Sequence, residues 1–346
     1  MKKPINKKKL IRAAAFSLCV ILLVAGWIIY SGISGSLITQ DAADRFRGET
    51  GGLFGQVSAF YKAGESGTED EIRSFRQKLS EEYVAASLEA PAGGSLFKDC
   101  YSAEGRLSVR GDRAAVELTA LGVGGDWFFF HPLKLISGSY INETDLMSDG
   151  VVLDEEAAWR LFGGFDLAGL KVYINDVPYV VVGVCETEKD EATKAAYSGE
   201  PRIFMHYSAL NAISETGITE YEVAGADPIG GFLKDITGKS FEKAVIVENS
   251  SRFEPGRIFK LIGDFGTRSM RKEAVAFPYW ENAARYNEDR LAFVLLVIAI
   301  LGVYPAVCII VTVVRLIGIG TGSLKKRLPD LKEKISERRY ERKAGR

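Results

Sequence analysis

The chain has 346 residues with 44 basic and 45 acidic side chains, a net charge of −1 that conceals an uneven distribution. Six basic residues and no acid occupy positions 1–12, and 11 basic residues against four acids follow position 314. This leaves 27 basic against 41 acidic residues in between, a net −14 that argues against nucleic acid as a partner of the central segment.

The first element is a predicted membrane span over 13–34, because no charged residue lies between Arg12 and Asp41. A cleavable signal peptide is the rival reading. The apolar run exceeds a typical ~7–15-residue signal core, no small-x-small site follows promptly, and no cysteine stands where a lipobox needs one. A second span is predicted over 291–314, 24 uncharged residues or about 36 Å of helix, enough to cross a ~30 Å hydrocarbon core. Basic residues flank both spans on their outer sides, so the positive-inside rule places both termini (1–12 and 315–346) in the cytoplasm and 35–290 outside it. The basic ends also suit contact with anionic lipid.

Within the central segment, Thr68-Glu69-Asp70-Glu71 has the form of a capping box. Ile72, Phe75, Leu79 and Tyr83 follow as one helix face. Residues 106–121 read as a hairpin turning at Gly111-Asp112, its second arm alternating through Ala114, Val116, Leu118 and Ala120. Residues 151–164 predict a strand, an Asp154 N-cap, a helix with Ala158, Leu161 and Phe162 inward, and a glycine stop at Gly163. A second hairpin spans 170–184 with Asn175-Asp176 at its turn. A strand is expected at 243–247, then a helix from Pro255-Gly256 with Ile258, Leu261, Ile262 and Phe265 on one side. A final strand over 273–280 leads to the second span. The fold class is α+β: a split α/β layer formed by both ends of the segment, with a β-rich insertion at about 119–215.

The chemistry-bearing residues are sparse. There are two histidines, His131 and His206, and no CxxC, so no transition-metal spacing is present and no metal or cofactor is expected. Cys19 and Cys308 lie in the spans as apolar fillers. Cys100 and Cys185 lie outside and are free to pair or to stay reduced. The Phe128–Phe130 run reads as core. The acidic run at 186–191 reads as a solvated loop. Two glycosylation-type triplets, at Asn142 and Asn249, read as coincidence. No residues form a catalytic constellation.

The stretch 122–146, and above all 151–184 with its Leu161-Phe162-Gly163, Gly169 and Val182-Gly183-Val184, resembles the extracytoplasmic core of MacB-type ABC transporter permeases. That superfamily also includes lipoprotein-release and FtsX-like permeases. The resemblance covers roughly 10–314, densely in the middle and by pattern elsewhere. Leu161, Phe162, Gly163, Gly169 and Gly183 are fold-defining residues in it, each with a backbone or packing reason of its own. The resemblance implies a permease-like subunit in a bacterial cytoplasmic membrane, coupling a separate ATPase to the exported domain for export or mechanical transmission. Family members typically have four spans, and this chain shows two, which implies assembly with a fuller permease subunit or with further copies of itself. It has no GxxxxGK[ST]; the nearest run, at 318–326, has the wrong glycine–lysine spacing, so this chain is not expected to hydrolyse ATP.

Leu324, Leu328, Leu331 and Ile335 recur at helical spacing in the basic tail, with Pro329 able to open a helix over 330–342. Through the family resemblance this face is a candidate dock for the ATPase; an amphipathic helix lying on anionic lipid is the other reading. Of functions outside transport, a membrane-anchored interaction or sensor module is the alternative. An enzyme is the third class, with no motif behind it.

Overall fold

A computed structural model describes residues 7–48, 52–90, 94–197, 199–264 and 275–344, with the backbone alone for 264 and 320–344. In chain order the helix α1 (Lys7–Ser34) is followed by a short 3-10 turn, α2 (Ala42–Arg47), β1 (Phe54–Tyr61) and α3 (Glu69–Ala85). Next come the long strands β2 (Phe97–Arg110) and β3 (Ala115–Gly125), then α4 (Trp127–Phe130) and β4 (Leu135–Gly138). The central part continues with β5 (Gly150–Asp154), α5 (Glu155–Phe162), β6 (Lys171–Ile174), β7 (Val177–Cys185) and α6 (Glu191–Ala196). The last part comprises β8 (Arg202–His206), α7 (Tyr207–Ser214), β9 (Glu220–Ala226), α8 (Phe232–Ser240), β10 (Ala244–Glu248), α9 (Pro255–Asp264) and α10 (Tyr279–Ala344).

Two compact units result, one of residues 1–31 with 293–346 and one of residues 32–292. The first holds the apolar parts of α1 and α10, both long and apolar enough to cross a membrane. Within it the two helices approach closely at Gly26, where a Cβ would lie 2.8 Å from Ile298 Cγ1. A small residue at such a crossing lets backbones pack where side chains would hold them apart.

The second unit is a mixed α+β domain on one sheet, ordered β10-β1-β9-β2-β3-β8-β5-β7-β4. β6 pairs with both β7 and the far end of β2, so β2, β3, β8, β5, β7 and β6 form a closed circuit. Closure of this kind leaves few free strand edges. Helices α3 and α8 cover the β1–β9 region. Phe75 meets Tyr221 edge-on at 5.3 Å, and Phe241 stacks on Tyr221 at 4.8 Å.

Local sequence signals account for most of these elements. Thr68 caps α3 by accepting from Glu71 N, and Ile72, Phe75, Leu79 and Tyr83 are its buried residues. Asp154 caps α5, and Gly163 closes it in the left-handed region at φ 76°. Asn175 and Asp176, at φ 51° and 62°, form the two-residue turn between β6 and β7.

Three expectations are corrected. The β2–β3 hairpin turns through four residues, 111–114, because Arg110 pairs with Ala115 and Gly111 N donates to Ala114 O. Gly111 does not take the positive φ that a two-residue turn requires. It packs instead against α5, where a Cβ would lie 2.6 Å from Leu161 O. The strand expected at 273–280 is absent among its described residues: 275–278 are irregular and Tyr279 begins α10. Pro278 cannot donate within a helix, but its carbonyl accepts from Asn282 N at the helix start. Finally, Pro329 opens no separate helix, since the helical backbone of α10 runs unbroken through it. Phe265 lies outside the described residues, while Ile258 is buried on α9 as expected.

Candidate functional site

The sequence pointed to fold-defining positions and to the tail, and the structure places them as follows. Leu161 is buried, Phe162 packs at the core margin, and Gly163 is the α5 cap. Gly169 takes φ 89° in open space. Gly183 lies where a Cβ would be 2.2 Å from Ser139 O, beside the β5–β7 register shift. These positions are spread through the β-rich part and form no common site. Leu324, Leu328, Leu331 and Ile335 belong to α10 by backbone, and their side chains lie outside the described residues.

The functional candidate emerges elsewhere, at the head of α10. Three consecutive residues there enter three separate polar sites of the domain. Tyr279 donates to Glu188, Trp280 Nε1 donates to Glu220 Oε1 at 2.8 Å, and Glu281 holds Arg252 through two bonds of 2.6 and 2.8 Å. Successive helical residues are ~100° apart, so these three grips act over more than half of the helix circumference.

The Glu188 site is built on Arg202, whose side chain is completely buried. Its guanidinium reaches Glu188 at 2.5 Å and Asp154 at 3.4 Å, while its backbone N donates to Asp154 at 3.0 Å. The rings of Tyr197 and Tyr279 lie 4.7 and 4.9 Å from it. Burial raises the Glu188 carboxyl, but Arg202 outweighs burial and holds it below the usual range. At Asp154 burial wins over Arg202 and the group is raised. The acidic stretch 186–191 is therefore not simply a solvated loop: Glu188 is part of this ion cluster, and Asp190 caps α6.

The Glu281 site is a second buried ion cluster. Arg252 also binds Glu288 at 2.7 Å, and Glu281 also accepts from Arg285 Nε at 2.7 Å. Burial pushes Glu281 up, yet Arg252 and then Arg285 overcome it and keep the group lowered. Two turns further along, Asn287 Nδ2 donates to Ser36 Oγ at 2.9 Å and to Ile33 O at 3.4 Å. Those two residues lie at and just beyond the end of α1. The following segment is fixed to β1 by Gln56, whose Nε2 donates to Thr39 O at 2.8 Å and whose Oε1 accepts from Ala42 N at 2.9 Å. The domain thus fastens both chain ends that lead to the spans.

The third site lies on β9, where Glu220 and Glu222 point to the same side two residues apart, at 3 % and 1 % exposure. Glu220 accepts from Ser102 Oγ at 2.8 Å as well as from Trp280. Burial first, and Glu222 second, push its carboxyl well above the usual range. Glu222 lies beside Cys100 and His131, a grouping that no sequence spacing revealed. Cys100 and Cys185 are both free and buried. Asn249 is buried too, donating to Ser58 Oγ at 2.7 Å, which removes it as a glycosylation site.

Residues 15–229 match the family model of the MacB-like periplasmic core domain, which is more than half of the chain. The chain belongs to this family. It carries a MacB-like periplasmic core domain together with two helices long and apolar enough to cross a membrane. Among solved structures it is similar to the periplasmic region of MacB from Actinobacillus actinomycetemcomitans. That match has 16 % identity and a TM-score of 0.42, covering 62 % of this chain and 93 % of that one. It is also similar to the extracellular domain of the noncanonic ABC-type transporter YknZ from Gram-positive bacteria. There the identity is 15 % and the TM-score 0.37, with 64 % of this chain and 100 % of that one covered. No curated protein matches the chain. The family match ends before α10, so the gripped helix head lies outside it.

Proposed function

We propose that this chain is a permease-like subunit that passes motion between a separate cytoplasmic ATPase and its exported domain, with both termini in the cytoplasm. The observation behind this reading is the grip on α10 by Tyr279, Trp280 and Glu281. A helix that transmits displacement must be held by its load on several sides; apolar packing alone permits rotation and sliding that directional ion pairs resist. The absence of a phosphate-binding loop from the sequence leaves the energy source to a partner.

Affinity purification from mild detergent tests the reading. An ATPase subunit is expected in the eluate and is expected to be lost on replacing Leu328 and Leu331 by Asp. Normal recovery of the ATPase with both substitutions removes the docking role of the tail. An eluate holding a soluble exported partner and no ATPase favours the alternative, an anchored interaction or sensor module.

A further inference from the structure

The domain contains a set of side chains that neither the transmission role nor ordinary packing accounts for. Cys100 on β2 and Glu222 on β9 are direct cross-strand partners, and Ser58 on β1 is the partner of Glu222 on its other side. The strand register therefore lines up Ser58, Glu222 and Cys100 in one row across three strands. His131, immediately after α4, reaches the same row. The ligand-type atoms of Cys100, His131 and Glu222 lie within 4.8 Å of one another, and all three residues are buried. Glu222 Oε2 is 2.9 Å from His131 Nε2 and 4.0 Å from Cys100 Sγ.

Two features of this set point to a cation. First, neither ring nitrogen of His131 makes a hydrogen bond although the residue is only 2 % exposed; the short approach of Nε2 to Glu222 is misaligned for one. A fully buried imidazole without hydrogen bonds is costly, on the order of 1–3 kcal/mol per lost partner. Second, the Glu222 carboxyl is buried on β9, and no lysine or arginine contacts it among the described residues: it meets Ser58, His131 and Cys100. Elsewhere in this domain the buried acids Asp99, Asp154 and Glu281 are answered by Arg76, Arg202 and Arg252, and Asp227 by the backbone N–H groups of Gly231 and Leu233. Buried charge is ordinarily paired or bound to metal.

We propose that Cys100, His131 and Glu222 are the ligands of a divalent transition-metal ion of the zinc class. Thiolate, imidazole and carboxylate together form a borderline-soft donor set suited to that class. Tetrahedral metal–ligand lengths of about 2.0–2.3 Å set ligand atoms roughly 3.3–3.7 Å apart, so on binding the 2.9 Å separation of His131 Nε2 from Glu222 Oε2 opens slightly and Cys100 Sγ, now 4.0 Å from Glu222 Oε2, moves inward. Glu222 is already oriented for this, since Ser58 Oγ donates to its other oxygen at 2.5 Å and Asn249 in turn donates to Ser58. A cavity of about 50 Å³ adjoins His131, bordered by Leu133, Tyr279 and Trp280. The His131 ring sits between Trp127 and Trp280, 4.6 and 4.5 Å away, so the ion would stand directly behind the head of α10. Binding releases the Cys100 proton to solvent and leaves the metal oxidation state unchanged.

The test uses the full chain in mild detergent, with Cys19, Cys185 and Cys308 replaced by Ala so that Cys100 is its only thiol. Expressed in zinc-supplemented medium, this protein is expected to retain one equivalent of Zn²⁺. Expressed with Co²⁺, it is expected to show a thiolate-to-cobalt charge-transfer band and quenched tryptophan fluorescence. Cys100→Ser, His131→Gln and Glu222→Gln should each lower metal retention at least about tenfold, with far-ultraviolet circular dichroism reporting whether each variant is folded. A folded single-thiol chain that purifies with far less than one equivalent of zinc and shows no cobalt charge-transfer band overturns the proposal, whatever the variants do. A band that persists in Cys100→Ser overturns it equally. Neither readout depends on an ATPase partner, so the metal site and the transmission role fail or stand separately.

Discussion

Arg252 and Glu281 form a two-pronged ion pair, Nη1–Oε2 2.6 Å and Nη2–Oε1 2.8 Å, between the segment after β10 and the first turn of α10. Their side chains are only 4 % and 1 % exposed, so the pair is effectively dry. A pair in this setting earns little net stability relative to apolar residues of equal volume. It is nevertheless costly to break on one side, because the survivor is left as an uncompensated buried charge.

Replacing Glu281 by Gln is therefore expected to destabilise the domain by about 3–5 kcal/mol. The double replacement of Arg252 by Met and Glu281 by Leu should cost much less than the sum of the two single changes. Urea unfolding of the full chain in detergent, followed by tryptophan fluorescence, measures this cycle. Additive single effects would show that the pair does not act as a unit.

The pH dependence follows from the direction of the same shift. Glu281 is held below its ordinary value of 4.5 in the folded chain. Its contribution is then complete above that value and is lost as pH falls through the folded pKa. The stability gap between the wild type and Glu281→Gln should hold steady from pH 7 to about 5 and shrink below about 4.3. Unfolding curves at stepped pH check this, and a gap that widens in acid would contradict the assignment.

The glycines of the family-like stretch differ in kind. At Gly183 a Cβ would stand 2.2 Å from the Ser139 carbonyl oxygen, and backbone cannot rotate out of the way. At Gly169 nothing lies within 4 Å, leaving only the cost of a positive φ for a non-glycine residue, about 1–2 kcal/mol. Gly183→Ala should thus destabilise clearly more than Gly169→Ala in thermal melts of the full chain. Equal melting temperatures would remove the close-approach argument.

Loosening the head of α10 should separate attachment from transmission. A chain carrying Tyr279→Phe and Trp280→Phe loses the hydrogen bonds to Glu188 and Glu220 but keeps its aromatic packing. The expected result is undiminished copurification of the ATPase, together with loss of any ATP-dependent change in protease sensitivity of the exported domain. An ATP-dependent change of wild-type size would exclude the two hydrogen bonds from transmission.

Much of this molecule is written locally. The 24 uncharged residues of the second span, the Thr68 cap with its Ile72–Phe75–Leu79–Tyr83 face, and the Asp154-to-Gly163 helix each rest on neighbours within a few turns. So does the Asn175-Asp176 turn, and each was legible from spacing alone. Where a local signal had two outcomes, distant packing chose between them: Gly111 was taken up by contact with Leu161 and gave no tight turn, and Pro278 ended an irregular segment just before α10. The polar sites were not legible at all. Glu188 and Arg202, Arg252 and Glu281, and Cys100 and Glu222 are joined by strand register and helix placement, across 14, 29 and 122 positions. A charged residue reads as solvated until its partner is known, because burial and pairing are properties of the assembled domain. The sequence by itself determined that apolar spans flank an acidic α+β domain. Only the tertiary structure decided which charges are withdrawn from water, and hence how that domain holds the helix leading out of it.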